Sequence, residues 1–350
     1  MTGGAATGGT ATGGVSTGGT STGGASSGGT GSGGTGGNSG ATGSGGAPPG
    51  GGTGGASGGA ATGGMGTGGQ KSGDAGAGGK ATGGVAGAAS GGAGGSGGAV
   101  GPTLPPITDY TAKGPFATKQ ESNVGPGGKY TVYRPDPLGK DGFVHAPIVF
   151  GPGIGQQVTV HNQMLTNFAS HGFIVVGTPV LNGGPGDAAN LKSMQDGLAW
   201  ILQQNGVAGT YQGKVWVDHA ISMGFSVGGT SAVQLGGEQA VATVVSIHGH
   251  NASAALHGPM LQTTGTNDTV GMPLQKQTYD KSMVQTFLAT LTGAPHQYIE
   301  SNGGGEERPA ILAWMRYWIY RDEGAKKYFF GSDCVLCKAP WENPQRKNWP

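Results

Sequence analysis

The sequence predicts an α/β domain, a mostly parallel central sheet with helices on both faces, carried behind a disordered Gly/Thr-rich tail. Three observations predict it. Glycine is concentrated at one end, with 46 of the 80 glycines in the first 100 of 350 residues. From about Pro102 onward, aromatic, aliphatic and charged residues are mixed in ordinary proportion. In that second part, short apolar runs of strand length alternate with longer stretches of helical period, the signature of βαβ units.

The tail, residues 1–101, opens TGGAATGGTATGG and repeats small residues around Gly-Gly pairs. Its only charged side chains are Lys71, Asp74 and Lys80, and it has no aromatic residue. Such a chain buries too little apolar surface to offset the entropy of ordering its backbone, so it reads as a flexible linker. A glycine-rich adhesive or matrix element is the alternative. The remainder, residues 102–350, is long enough for one undivided core.

Within that domain each element has its own signal. KYTVYRP (129–135) alternates and reads as a strand near an edge. APIVFGPGIG (146–155) is a buried strand running into a glycine-rich loop. HNQMLTNFASHG (161–172) has helical spacing and ends on Gly172 as a C-terminal cap. FIVVGTPV (173–180) is a second buried strand, and AANLKSMQDGLAWILQQNG (188–206) an amphipathic helix. AISMGFS (220–226) is a strand, followed by the helix SAVQLGG (231–237). VATVVSIHG (241–249), PMLQTTGTND (259–268) and QTFLATLTG (285–293) are three further strands, and EERPAILAWMRYWIYRDEG (306–324) is the closing helix. Open parallel sheets of this kind place their sites at the carboxyl ends of the strands.

Composition excludes several function classes. A formal net charge of +1 gives no reason to expect nucleic acid or an anionic membrane surface as partner. No apolar run approaches the roughly 18 residues that read as a membrane span. The two cysteines, Cys334 and Cys337, form one C-x-x-C. A single pair makes a poor zinc site, and no thioredoxin-like βαβ unit surrounds it, so a structural disulfide is expected. No export leader is visible at Met1, yet a nearly uncharged, repeat-built tail and a disulfide suit a secreted or cell-surface protein.

The strand AISMGFS leads directly into Gly224-Phe225-Ser226-Val227-Gly228 and then into a helix. A G-x-S-x-G means little in so glycine-rich a chain. Placed between a buried strand and a helix, it matches the nucleophile elbow of the α/β-hydrolase fold, which lifts a serine Oγ above the sheet. In that fold an acid and then a histidine follow the serine in chain order. The carboxylates between Ser226 and His296 are Glu238, Asp268 and Asp280. Glu238 lies behind the elbow and Asp280 about a dozen residues past the strand end, whereas Asp268 closes a strand. His296 is the only histidine after Asp268. Ser226, Asp268 and His296 are therefore the expected nucleophile, acid and base. Two backbone N–H groups should hold a tetrahedral oxyanion: Val227, directly after the serine, and Ile154 in the loop after APIVFG.

With these residues identified, the chain from about Gly114 to Cys337 resembles the cutinase-like bacterial polyester hydrolases, the PET hydrolase group, and is similar to dienelactone hydrolase and chlorophyllase-type esterases. GPF (114–116), IVFGPGIG, ASHGFIVVGTPV, GFSVGG, TNDTVGMP, AILAWMRYWI and the C-terminal cysteine pair carry the resemblance. It implies the α/β-hydrolase fold, the same triad and oxyanion donors, and no cofactor or metal. It also implies a monomeric carboxylic ester hydrolase that cleaves short-chain esters and polyesters. A small-molecule or lipid esterase or acyltransferase with the same triad remains open, as does a non-catalytic surface protein on the same fold. Three positions depart from the polyester hydrolases and bear on aromatic polyesters rather than on ester hydrolysis. Ile154 stands where an aromatic is usual, Phe225 where His or Trp is common, and His250 in place of a cleft-wall tryptophan. The cysteines are also closer together than in the usual family disulfide. His248 and His250, ending a strand beside the elbow, are expected with Phe225 to line the substrate cleft. As a metal pair the two histidines would lack a third ligand.

Overall fold

The computed structural model describes residues 102–349. The tail assigned to residues 1–101 lies outside the described residues. The strands, in chain order, are β1 (Thr118–Val124), β2 (Tyr130–Pro135), β3 (Pro147–Gly151), β4 (Ile174–Gly177), β5 (Ala220–Phe225), β6 (Val241–Ile247), β7 (Met260–Gly265), β8 (Thr286–Leu291) and β9 (Trp341–Lys347). The α-helices are α1 (Asn162–Ser170), α2 (Ala188–Gln204), α3 (Val227–Leu235), α4 (Met272–Lys281) and α5 (Glu307–Tyr320). The strands form a single nine-stranded sheet in the order β1-β2-β4-β3-β5-β6-β7-β8-β9. From β4 through β8 all neighbours are parallel, and antiparallel pairs occur only toward the two edges. The chain is therefore an α/β protein with a mostly parallel sheet.

Strands buried on both faces must be apolar on both, which explains the continuous runs of β3, β4 and β5. The two-residue period still divides them. Ile148 and Phe150 join α1 and α5 in one cluster, while Val149 between them joins α2 and α3 in another. Helices thus cover both faces. α2 starts at Asp187, whose side chain accepts a 2.7 Å hydrogen bond from the Ala189 N–H. α1 ends as the sequence indicates, with Gly172 at φ 98° and its N–H bonded to the Ala169 carbonyl.

Three elements had no sequence signal. β1 (TKQESNV) and β9 (WENPQRK) are polar edge strands, and β9 contains a proline that only an edge position tolerates. α4 (MPLQKQTYDK) is too polar to display an apolar stripe. α3 begins at Val227, four residues earlier than expected. Gly228 and Gly229 are poor helix formers, but a Cβ on Gly228 would collide with the Gly151 carbonyl of β3. Close packing here overrides propensity.

Cys334 and Cys337 are joined by a disulfide. A bridge across so few residues removes little unfolded-chain entropy, so reduction should cost about 2 kcal/mol or less on the loop-length relation. Denaturant melts with and without reductant test this, and a loss well above that would mean the bridge holds the C-terminal segment by other means. No helix among the described residues is long and apolar enough to cross a membrane.

Candidate active site

Parallel register brings the loops together. Gly151, the last residue of β3, pairs with Gly224 of β5, and Phe225 pairs with Ile247 at the end of β6. Ile247 pairs in turn with Thr263 of β7, and Gly265 with Leu291 of β8. The loops after β3, β5, β6, β7 and β8 therefore open on the same edge of the sheet.

Ser226 lies between β5 and α3 at φ 55° and ψ −120°, a conformation strained for any residue with a side chain. The turn is tight enough that a Cβ on Gly224 would strike the Gly228 carbonyl. The turn is held by the Ser226 N–H donating to Ile247 O and by the Thr230 N–H donating to Ser226 O.

From the loop after β8, His296 Nε2 lies 3.0 Å from Ser226 Oγ, and its Nδ1 lies 3.0 Å from Asp268 Oδ1. Asp268, in the turn after β7, is fully buried and also accepts the N–H groups of Gly271 at 2.6 Å and Val270 at 3.1 Å. Burial opposes its ionisation. The hydrogen bonds from His248, His296 and the Gly271 N–H outweigh that cost and hold the carboxyl well below the usual carboxylate range. It is a carboxylate at neutral pH, so His296 must carry its proton on Nδ1 to donate to it. That leaves the Nε2 lone pair facing the serine hydroxyl.

His250 also approaches Ser226, with Nε2 3.4 Å from Oγ. Among the described residues no carboxylate pairs with its ring. Burial and the neighbouring His296 both lower its pKa, keeping it neutral. Only His296 is both in reach and oriented by an acid. The other sequence candidates lie elsewhere. Asp280 is exposed on α4, paired with Lys276 one turn away, and Glu238 accepts from Gln195 on the surface. His257 bonds the Gly237 carbonyl.

Ile154 and Val227 both line the cleft above Ser226, a space of about 380 Å³ shared with Pro185, His250, Val270 and Gln297. Among the described residues neither N–H donates to a protein acceptor, although the flanking Gly153 and Gly155 N–H groups do. Gly153 is held by Gln156 Oε1 at 3.2 Å, while Gln156 Nε2 donates to Glu300 at 2.7 Å. The loop is thereby fixed with the Ile154 N–H left over. Phe225 forms the buried floor, and the rim is aliphatic, with Ile154 54% and Val270 46% exposed. A larger groove of about 670 Å³ lies between Pro102, Phe116, Pro137 and Phe143, and none of the residues just described lines it.

One expectation is corrected. His248 does not line the cleft: it is fully buried beneath it, with Nδ1 2.7 Å from Asp268 Oδ2. His250, two residues on, lines the cleft instead, while His248 sits at a left-handed φ of 47°. His248, Asp268 and His296 place their donor atoms within 4.8 Å of one another, the one such group among the described residues. The two imidazoles address separate oxygens of Asp268, as a hydrogen-bonded chain does.

Sequence reasoning missed Glu307. Its Oε1 lies 3.1 Å from His248 Nε2, and both side chains are fully buried. A search for the acid between Ser226 and His296 could not reach it. The available signal was helical period: Glu307, Ala310, Ile311 and Trp314 share one stripe of α5, and all four are buried. A glutamate on the apolar face of a helix needs an interior partner.

No family model matches the chain, and no curated protein matches it.

Proposed function

We propose that this chain is a serine carboxylic ester hydrolase of α/β-hydrolase fold, cutinase-like in its cleft. The observation that carries the reading is the chain Ser226 Oγ–His296 Nε2–Asp268, two 3.0 Å contacts at the carboxyl end of the central strand β5. In this reading Ser226 Oγ attacks the ester carbonyl carbon while His296 Nε2 takes its proton. The carbonyl electrons move onto oxygen, and the N–H groups of Ile154 and Val227 stabilise that charge. Collapse of the tetrahedral species breaks the bond to the alcohol, which leaves with the proton from His296. Water, deprotonated by the same nitrogen, then releases the acid and regenerates Ser226.

A fluorophosphonate probe and a panel of soluble esters test the proposal. Labelling at Ser226 together with turnover supports it. An unreactive serine favours a binding role for the same fold. The disulfide and the sparsely charged tail favour a secreted or cell-surface setting, with the domain acting as a monomer.

Substrate class follows from the cleft walls. Short acyl esters, about C2 to C6, should exceed long-chain esters in kcat/KM, because an open cleft does not enclose a long acyl tail. Aliphatic polyesters should be cleaved faster than aromatic ones, since Ile154 and His250 offer little surface for a terephthalate ring. Each aromatic pair is worth about 0.5–1.5 kcal/mol, so Ile154→Tyr with His250→Trp should shift the preference toward aromatic esters. Film-hydrolysis rates on both polymer types decide it, and a wild type already favouring aromatic film would refute the cleft argument.

A further inference from the structure

Behind the triad, a second buried pair touches neither the cleft nor Ser226. We infer that His248 is an imidazolium clamped between Asp268 and Glu307, and that this pair is a positioning device for the triad acid, an inference that rests on the hydrolase reading. Asp268 uses its two oxygens differently: Oδ1 faces His296 and two backbone N–H groups, whereas Oδ2 faces His248 at 2.7 Å and the Thr264 hydroxyl at 3.3 Å. A cation on Oδ2 fixes the rotation of the carboxylate, and with it the direction in which Oδ1 holds His296.

The charge state follows from the two contacts. His248 Nδ1 must carry a proton to donate to an ionised Asp268. If Nε2 were bare, its lone pair would face Glu307 Oε1 at 3.1 Å in a site with no solvent exposure. A buried carboxylate without a compensating charge is strongly unfavourable, and among the described residues neither Glu307 oxygen has a hydrogen-bond partner. The Nε2–Oε1 contact is at ion-pair distance without hydrogen-bond alignment, so Glu307 acts on His248 through its charge. Backbone geometry points the same way. His248 is held at φ 47°, with its N–H on the Thr263 carbonyl at 2.8 Å, a left-handed conformation uncommon outside glycine. The ring lies between Asp268, in the turn after β7, and Glu307 of α5.

The other ring neighbours are Phe225, uncharged, with centroids 6.1 Å apart, and His296 at 5.8 Å. Burial alone would discharge His248, but the charge of Glu307 and the hydrogen bond to Asp268 outweigh it and raise its pKa to about 9. A raised pKa fixes the sign. The stabilisation is complete below the ordinary histidine value of about 6.5 and is lost as pH rises through about 9. In the wild type the triad should therefore lose its alignment on the alkaline side.

The test uses the full chain labelled with ¹⁵N-histidine, titrated across that window, alongside kcat on a soluble short-chain ester and the rate of fluorophosphonate labelling. Glu307→Gln and His248→Gln/Glu307→Gln are compared with the wild type. The expected result is one imidazolium persisting at neutral pH, absent from the double variant, with a matching alkaline fall in wild-type kcat. Both variants should lose that fall and show kcat lower by on the order of tenfold at unchanged KM. A neutral His248 at neutral pH overturns the clamp, as does an alkaline fall that survives in Glu307→Gln. If the double variant does not fold, the wild-type titration and the single variant decide. A wild type that neither turns over esters nor reacts with the probe overturns the hydrolase reading and the positioning role with it. An active wild type with a neutral His248 overturns the clamp alone.

Discussion

Ser226→Ala and His296→Ala should each lower kcat by about 10⁴-fold or more, and the double variant should be little worse than either. In the proposed hydrolase mechanism nucleophile and base act as one unit, so removing the second partner removes nothing further. Asp268→Asn should be comparably severe. An amide at that position can still meet His296, but it can donate as well as accept, and it no longer selects the tautomer that leaves Nε2 free for the serine. It must also turn its NH2 toward a donor, either the His248 Nδ1–H or the Gly271 N–H, so a drop in melting temperature should accompany the kinetic loss. Asp280→Asn should change kcat by less than about twofold, because its carboxylate is an exposed partner of Lys276 on α4. Steady-state kinetics on one soluble ester separate these outcomes. A severe Asp280→Asn beside a mild Asp268→Asn would mean that the acid had been misassigned.

The readable part of this chain is the part whose burial is local in sequence. β3 through β6 appear as short, mostly apolar runs because both faces of each are covered, whereas β2 shows through alternation. The strand–turn–helix context of Ser226 and the chain order of Asp268 and His296 led to three side chains that the fold brings into contact. PMLQTTGTND reads as one strand, yet β7 stops at Gly265, and the next three residues fold back so that the Asp268 N–H meets the Gly265 carbonyl. The edge strands β1 and β9 were invisible because pairing on one side with a polar face outward needs no apolar alternation. His248 and Glu307 were misread or missed for another reason. Their partners lie on different elements, 59 residues apart in sequence, and only the folded packing of α5 on the sheet brings them together. The same polar residue types make a surface loop or a buried ion pair according to that packing.

Asp322→Ala should cost about 3–5 kcal/mol, the usual penalty for stranding a buried charge, or roughly 10 °C in melting temperature for a domain of this size. Arg316, on α5, is 1% exposed, and its Nε lies 2.6 Å from Asp322 Oδ2. The same oxygen accepts the Tyr110 hydroxyl at 2.9 Å, while Arg316 Nη2 donates to the Pro105 carbonyl at 2.8 Å. One ion pair thus ties the segment after Pro102 to the far end of the closing helix. Removing Asp322 leaves the guanidinium without its counter-charge, and among the described residues Nη1 already has no partner. Replacing both charges, Arg316→Met with Asp322→Leu, should recover a large part of the loss, because apolar groups of similar size need no compensation. Thermal and urea melts of the two variants measure the difference. A loss below about 1 kcal/mol for Asp322→Ala would class the pair with ordinary surface bridges and remove the argument. The same network sets where the domain can be shortened. Deleting residues 1–101 spares every one of these contacts and should leave the melting temperature nearly unchanged. Deleting twelve residues more removes buried Leu104 and Tyr110 together with the Pro105 carbonyl, and the melting temperature should then fall at least as far as in Asp322→Ala.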